Sequence, residues 1–265
     1  MTTLTMAVTD SATMLRRNLK HILRYPSVTV MLVGTPIVFL LLFVYVFGGT
    51  LGAGLGGAAG GRVAYANYVA PGIMMFTVGT AAMGASLSVA MDMTEGIIAR
   101  FRTMAIARVS VLTGHVLGSV IQVVLCTVTV AAVAVLVGFR PDATPLEWLA
   151  AFGVLVLISF ALTWLCVALG LISNNVETAS NIPMFLMVLP FLGSGFVPTD
   201  SMPGGLRWFA QHQPFTPFNE TLRGLLTGTP IGDNAVVTVA WCAGIALVSY
   251  LWARRRYNRY AVPNN

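Results

Sequence analysis

Charged residues are scarce in this sequence. Asp, Glu, Lys and Arg make up 9% of the 265 residues, whereas hydrophobic residues make up 57%. Soluble domains carry about 25% charged residues, so the composition excludes an ordinary soluble domain. The apolar residues also occur in long continuous runs, which indicates a protein embedded in a membrane.

Common motifs of catalysis and nucleotide binding are absent as well. The sequence contains no GxxxxGK[ST] phosphate loop, no HExxH and no GxSxG. Its three cysteines lie inside apolar runs without CxxC spacing, so we interpret them as small apolar residues. Its three histidines are far apart, and we interpret each as an interfacial or loop residue. We therefore expect no catalytic residue, no metal site and no cofactor bound by this chain. An intramembrane enzyme would need a polar cluster that the sequence does not show.

Six apolar runs approach the length of about 20 residues that a helix needs to cross the hydrocarbon core of a bilayer. Because lipid offers the backbone no hydrogen-bond partners, such runs favour helices. The sequence thus predicts one all-α, polytopic membrane domain over residues 1–265. The predicted spans are 28–47, 67–91, 112–137, 148–172, 182–197 and 234–253. The fifth is short and contains Pro183 and Pro190.

The basic residues are placed unevenly around these runs. Eleven of the fifteen fall in the amino-terminal segment, the 92–108 loop and the carboxy-terminal tail. The excess of Lys and Arg on the inner side predicts that both termini and this loop are cytoplasmic. Because the basic residues flank apolar runs, we expect contact with membrane lipids and none with nucleic acid. The pattern of basic and apolar residues at 11–25 predicts a basic amphipathic helix at the membrane interface. The alternative is a charged flank that only sets the orientation of the protein in the membrane.

Two outer connections stand out. Residues 48–61 are rich in glycine, which predicts a flexible loop. The 198–233 connection is too apolar for an exposed loop, so we expect it to fold onto the outer membrane surface or partly re-enter it. Since Pro214 and Pro217 limit helix formation, its helix is expected to begin between residues 216 and 219. Its candidate functional residues are Phe215, Phe218, Glu220 and Arg223.

The predicted spans carry no Asp, Glu, Lys or Arg near their centres. Carriers driven by protons or ions usually need such groups inside the membrane. The pattern therefore favours transport energised by another protein. Neutral residues can still coordinate Na⁺, so a carrier or channel that works without an ATPase remains the alternative from a different class.

Two stretches carry a resemblance to a known family. The first is Glu95-Gly96 with FRTMAIAR at 101–108, followed by Leu112 and Gly114-His115. The second is QPFTPFNETLRGLLTG at 213–228, just before the last span. Both resemble ABC-2 type exporter permeases, most closely the daunorubicin-resistance branch. With the six spans and the basic amino-terminal helix, the resemblance covers nearly the whole chain. Ala105 is a departure, because that branch often has proline there.

The resemblance implies a permease in the plasma membrane that pairs with a separate ABC ATPase, which binds the ATP and Mg²⁺. A complete exporter would hold two ATPase subunits and two membrane subunits, the second being another copy of this chain or a related one. In such permeases the loop after the second span is a coupling helix seated in a groove of the ATPase. The residues carried over to that role are Glu95, Arg100, Phe101, Arg102 and Met104. The alternative is a loop that touches only lipid headgroups.

Soft apolar residues in the second and fifth predicted spans are candidates for lining a substrate path, because methionine adapts its shape readily. They are Met74, Met75, Phe76, Met83, Met184, Phe185, Met187 and Phe191. Ordinary helix packing would explain the same residues. The family branch implies export of hydrophobic or amphipathic, drug-like compounds; a lipid or a lipid-linked glycan would also fit.

Overall fold

The computed structural model describes residues 26–53, 61–94, 108–173 and 175–259. Every regular element in these ranges is a helix, which confirms the all-α class. The predicted interfacial helix at 11–25 and residues 95–107 of the predicted coupling loop lie outside the described residues. The same is therefore true of Glu95, Arg100, Phe101, Arg102 and Met104.

Five helical runs in the described part are long and apolar enough to cross a membrane. The first consists of α1 (Pro26–Leu41), a π-helical turn (Leu42–Phe47) and α2 (Gly48–Ala53). The others are α3 (Arg62–Thr94), α4 (Arg108–Val137), α5 (Pro145–Ile172) and α10 (Asn234–Arg259). Each corresponds to one of the predicted spans.

The first run is longer than the sequence predicted. Residues 48–53, which the glycine content assigned to a flexible loop, continue the helix as α2. Gly52 faces Gly61 so closely that a Cβ atom at Gly52 would collide with the Gly61 carbonyl. The glycines therefore provide close packing between α2 and the start of α3.

The fifth apolar run is broken into short pieces. It contains α6 (Val176–Asn181), α7 (Phe185–Val188) and 3-10 turns on either side of α7. The two prolines lie in those turns, at Pro183 and Pro190, because proline removes a backbone donor and disfavours a continuous α-helix. The whole run, Val176–Leu192, is shorter than the five long helices. We refer to residues 176–198 as the broken segment.

Two further helices form the connection before α10. They are α8 (Gly204–His212) and α9 (Phe215–Thr227). Helix α9 begins at Phe215, one residue before the predicted range. It ends at Gly228, whose φ of 69° is readily adopted by glycine.

Helix α3 forms the centre of the bundle. Most residues of α3 and α5 are buried, whereas most residues of α1, α4 and α10 are not. Two glycines of α3 allow the broken segment to approach its backbone. A Cβ atom at Gly72 would collide with the Gly195 carbonyl, and one at Gly79 would lie 2.7 Å from the Leu186 carbonyl oxygen.

Candidate functional site

A buried arginine joins α9, α3 and the broken segment. Arg223 lies in α9 and is 5% exposed. Its Nη2 donates to the backbone carbonyls of Ser194 at 2.7 Å and Tyr68 at 3.2 Å. Its Nη1 donates to Glu220 Oε1 at 2.7 Å, and its Cζ lies 3.8 Å from the centroid of the Tyr68 ring. We call Arg223, Glu220, Tyr68 and Ser194 the Arg223 cluster.

The partners of Arg223 explain why a charged side chain can be buried there. An unpaired charge is costly to remove from water, whereas one with a carboxylate partner and filled hydrogen bonds is tolerated. The Tyr68 hydroxyl also donates to the Ser194 carbonyl, at 2.9 Å. That carbonyl therefore accepts from both α3 and α9, so the three segments are held at one point.

A second set of buried polar side chains holds the start of α9 against the broken segment. Thr216 Oγ1 donates to the Ala210 carbonyl at 2.5 Å and accepts from the Ser194 backbone N–H at 3.3 Å. Gln213 Nε2 donates to the Leu189 carbonyl at 3.4 Å. By contrast, neither side-chain polar atom of Asn219 nor the hydroxyl of Ser194 has a hydrogen-bond partner among the described residues. Such groups usually find partners, because leaving them unpaired costs about 1–3 kcal/mol.

Five phenylalanines from three parts of the chain pack together beside this polar region. Phe191 and Phe196 stack with their centroids 4.2 Å apart. Phe76 approaches Phe191 at 5.5 Å. The phenylalanine cluster consists of Phe39, Phe43, Phe76, Phe191 and Phe196. Since the Tyr65 hydroxyl donates to the Phe196 carbonyl at 3.3 Å, the cluster is linked to the same stretch of α3 as the Arg223 cluster.

The structure brings together only some of the predicted substrate-path residues. Phe76 and Phe191 meet in the phenylalanine cluster. Met184 and Phe185 are exposed on the surface of the bundle. The remaining four are buried or partly buried at separate places along α3 and α7: Met74, Met75, Met83 and Met187. Their role in a substrate path remains a prediction.

The predicted outer residues are arranged around α9 in two ways. Phe215 and Phe218 are fully buried in the hydrophobic core, with their rings 5.8 Å apart. Helix α9 packs against α3, α5 and α10. Glu220 and Arg223 form the ion pair of the Arg223 cluster. The apolar side chains of α9 thus lie largely inside the bundle, whereas Leu206, Trp208 and Phe209 of α8 are exposed.

At the opposite end of α3, a buried polar contact joins the two helices that flank the 92–108 loop. His115 Nε2 of α4 lies 3.0 Å from Asp92 Oδ2 of α3, and both side chains are buried. We call this the Asp92–His115 pair. Of the two alternatives for His115, an interfacial or a loop residue, the loop residue is wrong, because His115 lies inside α4 and is 4% exposed.

Sequence reasoning missed Tyr68, Ser194 and the Asp92–His115 pair. No local pattern connects Arg223 to Tyr68, since the two residues are 155 positions apart. A weak indication of the Asp92–His115 pair was present in the sequence, because the two polar residues flank the same loop. Among the described residues, no group of three or more His, Cys, Asp or Glu side chains is arranged to hold a metal ion.

Comparison with known proteins gives matches to one family of membrane proteins. The family model described as ABC-2 type transporter matches residues 10–227. The daunorubicin resistance ABC transporter permease protein DrrB1 of Streptomyces coeruleorubidus is 29% identical over 243 residues, covering 91% of this chain and 83% of the relative. The probable doxorubicin resistance ABC transporter permease protein DrrC of Mycobacterium tuberculosis is 26% identical over 172 residues, covering 63% of this chain and 62% of the relative.

Proposed function

This chain belongs to the ABC-2 type transporter family, and we propose that it is the membrane subunit of an exporter of hydrophobic or amphipathic, drug-like compounds. The observation that carries the proposal is its similarity, over 91% of its length, to a daunorubicin resistance permease. The five long apolar helices suit a multi-pass membrane subunit. A separate ABC ATPase would bind ATP and Mg²⁺ and supply the energy.

The proposed arrangement has six crossings in the plasma membrane, with both termini in the cytoplasm. The broken segment would supply the fifth crossing, and residues 11–25 would lie at the inner interface. The connection before α10 would lie at the outer surface, where α9 partly re-enters the bundle. Two permease subunits, either copies of this chain or this chain with a relative, would complete the exporter together with two ATPase subunits.

In this proposal the 92–108 loop receives the ATPase, with Glu95, Arg100, Phe101, Arg102 and Met104 at the contact. The Asp92–His115 pair supports this role, because it ties the helices on both sides of the loop at a distance of 3.0 Å. A displacement of the loop would then move the inner ends of α3 and α4 together.

At the other end of the bundle, the Arg223 cluster and the phenylalanine cluster would form the outer closure. Opening a path there would separate the broken segment from α3 and α9, and would break the contacts of the Ser194 carbonyl. The same movement would expose Asn219 and the Ser194 hydroxyl, which have no hydrogen-bond partner among the described residues, to water. Their hydration would offset part of the cost of breaking the contacts.

Reconstitution tests the function directly. The full chain would be placed in proteoliposomes with its ATPase, and daunorubicin movement would be followed by fluorescence on adding ATP. We expect ATP-dependent transport that is lost when the phosphate-loop lysine of the ATPase is replaced. Transport that persists without the ATPase would instead identify a carrier, and ATP hydrolysis stimulated by a lipid but not by daunorubicin would identify a lipid exporter.

A further inference from the structure

An apolar cavity of about 60 Å³ lies between α3, α4, α5 and α9. Its lining comes from side chains that are far apart in sequence but adjacent in the bundle. They include Met74 of α3, Ala131 of α4, Ala151 of α5 and Leu222 of α9. The cavity is separate from the phenylalanine cluster, since the two share no residue.

The chemistry of the lining restricts what the cavity can hold. Its one hydroxyl, on Thr127, donates to the Val123 carbonyl of its own helix at 2.8 Å. The other lining side chains are apolar apart from the indole N–H of Trp148. A water molecule needs about 2–4 polar partners to be stable in a cavity, so the lining suits a hydrocarbon group.

The position of the mouth indicates where that hydrocarbon comes from. Val128, Trp148 and Phe152 line the cavity and are also 48%, 39% and 48% exposed. They lie on α4 and α5, two of the helices long and apolar enough to cross a membrane. Exposed apolar side chains on such helices suit contact with the bilayer, so lipid chains are the apolar molecules most available to the mouth.

The volume selects among apolar occupants. A cavity on the order of 150 Å³ is known to bind benzene, and this one is less than half that size. Its enclosed part has room for a narrow alkyl chain, whereas the ring system of a planar drug would extend well beyond it. We propose that the cavity binds an acyl chain of a membrane lipid, which enters between α4 and α5.

The inner wall of the cavity connects this site to α9. Leu222 and Leu226 belong to α9, and Leu222 directly precedes Arg223. A bound acyl chain would therefore contact the helix that carries the Arg223 cluster. The lipid fills space beneath α9 and stabilises its packing against α3, because an empty apolar cavity forfeits dispersion contacts.

The test is photolabelling of the full chain in nanodiscs made of phosphatidylcholine with a small fraction carrying a diazirine on the acyl chain. Labelled residues are identified by mass spectrometry. We expect labels on Leu222 and Leu226, which are each 1% exposed and line the cavity. Leu149 is 66% exposed on α5, so its label reports ordinary contact with the surrounding bilayer.

A matched pair of substitutions distinguishes the cavity from the general lipid surface. Ala131→Leu fills the cavity, and we expect loss of labelling at Leu222 and Leu226 while Leu149 stays labelled. Ala132→Leu makes the same change at the neighbouring exposed residue and should leave all three labels. If Ala131→Leu fails to fold, the labels of the unaltered protein still decide the question.

Three outcomes would overturn the proposal. Labelling of Leu149 without Leu222 or Leu226 would show that no chain enters. Displacement of the cavity labels by daunorubicin would assign the cavity to an exported compound. Protection of Trp148 and Phe152 from the lipid label, together with cross-links between two copies at these residues, would show that a second permease covers the mouth.

Discussion

At Arg223, one side chain holds together three segments that are distant in sequence. Arg223→Ala would leave Glu220 without its partner and the carbonyls of Tyr68 and Ser194 without a donor. Removing one partner of a fully buried ion pair typically costs about 3–5 kcal/mol; the cost here is smaller, because the Glu220 side chain that remains is 30% exposed. We expect a clear fall in the thermal unfolding midpoint of the purified permease, followed by fluorescence-detected size exclusion.

Arg207 provides the control for this substitution. It also pairs with an acidic residue, Asp200, but both side chains are largely exposed. An exposed pair contributes about 0–1 kcal/mol, so Arg207→Ala should leave the midpoint nearly unchanged. Equal effects of the two substitutions would contradict the structural role assigned to the Arg223 cluster.

A second prediction for single residues concerns the Asp92–His115 pair. Because the two side chains are 3.0 Å apart and buried, the effects of Asp92→Ala and His115→Ala on stability should not add. Residues in direct contact show coupling of about 0.5–3 kcal/mol in a double-mutant cycle. Unfolding midpoints of the two single variants and the double variant measure it; strictly additive effects would show that the contact contributes nothing.

At the scale of helices, the contact between α3 and the broken segment depends on glycine. A Cβ atom at Gly72 would collide with the backbone carbonyl of Gly195, which cannot move without displacing the segment. Gly72→Ala is therefore expected to lower both stability and transport. Transport is affected because the displaced segment carries Ser194 and Phe196 of the two clusters.

Gly84 is a control in the same helix. A Cβ atom there would have no neighbour within 4 Å. Replacing a helical glycine with alanine favours the helix by up to about 1 kcal/mol, so Gly84→Ala should be neutral or stabilising. The two variants can be compared in one thermal unfolding assay. A destabilisation by Gly84→Ala that matched Gly72→Ala would point to a general effect on α3.

The sequence was sufficient for those elements that depend on local physics. Long apolar runs predicted the five long helices, because length and hydropathy are local properties. Pro214 and Pro217 placed the start of α9 to within one residue. The two prolines of the fifth run marked it as the least regular, and it is the one run that is broken. The glycine content wrongly predicted a flexible loop at residues 48–53, which form α2. Close packing against Gly61 outweighs the weak helix propensity of glycine.

The candidate site was less accessible because its contacts are long-range. Glu220 and Arg223 were identified as residues of the outer connection, and their i,i+3 spacing makes the pair local. Tyr68 and Ser194 could not be found in the same way, since nothing in their own neighbourhoods indicates a contact with Arg223. The methionines that we predicted to line a substrate path also lie at separate places in the bundle. Residues on one helix point in different directions and so contact different neighbours.

For the molecule as a whole, α3 connects the two ends of the bundle. It carries Tyr68, Gly72 and Phe76 at the proposed outer closure and Asp92 beside the proposed coupling loop. At about 1.5 Å per residue, Tyr68 and Asp92 are separated by roughly 36 Å along the helix. A buried helix of this length can pass a displacement from one end to the other, which fits a permease driven by a cytoplasmic ATPase.

The coupling contact itself is predicted from the sequence. Ile97, Phe101 and Met104 fall at i, i+4 and i+7, which predicts an apolar stripe on one face of a helix. We expect that stripe to enter a groove of the ATPase, with Glu95 and the arginines at its rim. Truncating a buried aromatic anchor typically costs about 2 kcal/mol or more, which is roughly a 30-fold loss of affinity. Phe101→Ala should therefore weaken association of the ATPase with the permease in nanodiscs.

Arg102→Ala is the matched comparison, because a charge at the rim of an interface contributes less than a buried anchor. It should weaken association less than Phe101→Ala does, while both variants insert into the membrane at normal levels. Substrate-stimulated ATP hydrolysis and transport should fall in parallel with association, since the loop is the proposed route by which the ATPase moves α3 and α4. If Phe101→Ala leaves both ATPase binding and stimulated hydrolysis unchanged, the 92–108 loop is not the coupling element, and the Asp92–His115 pair has only a structural role.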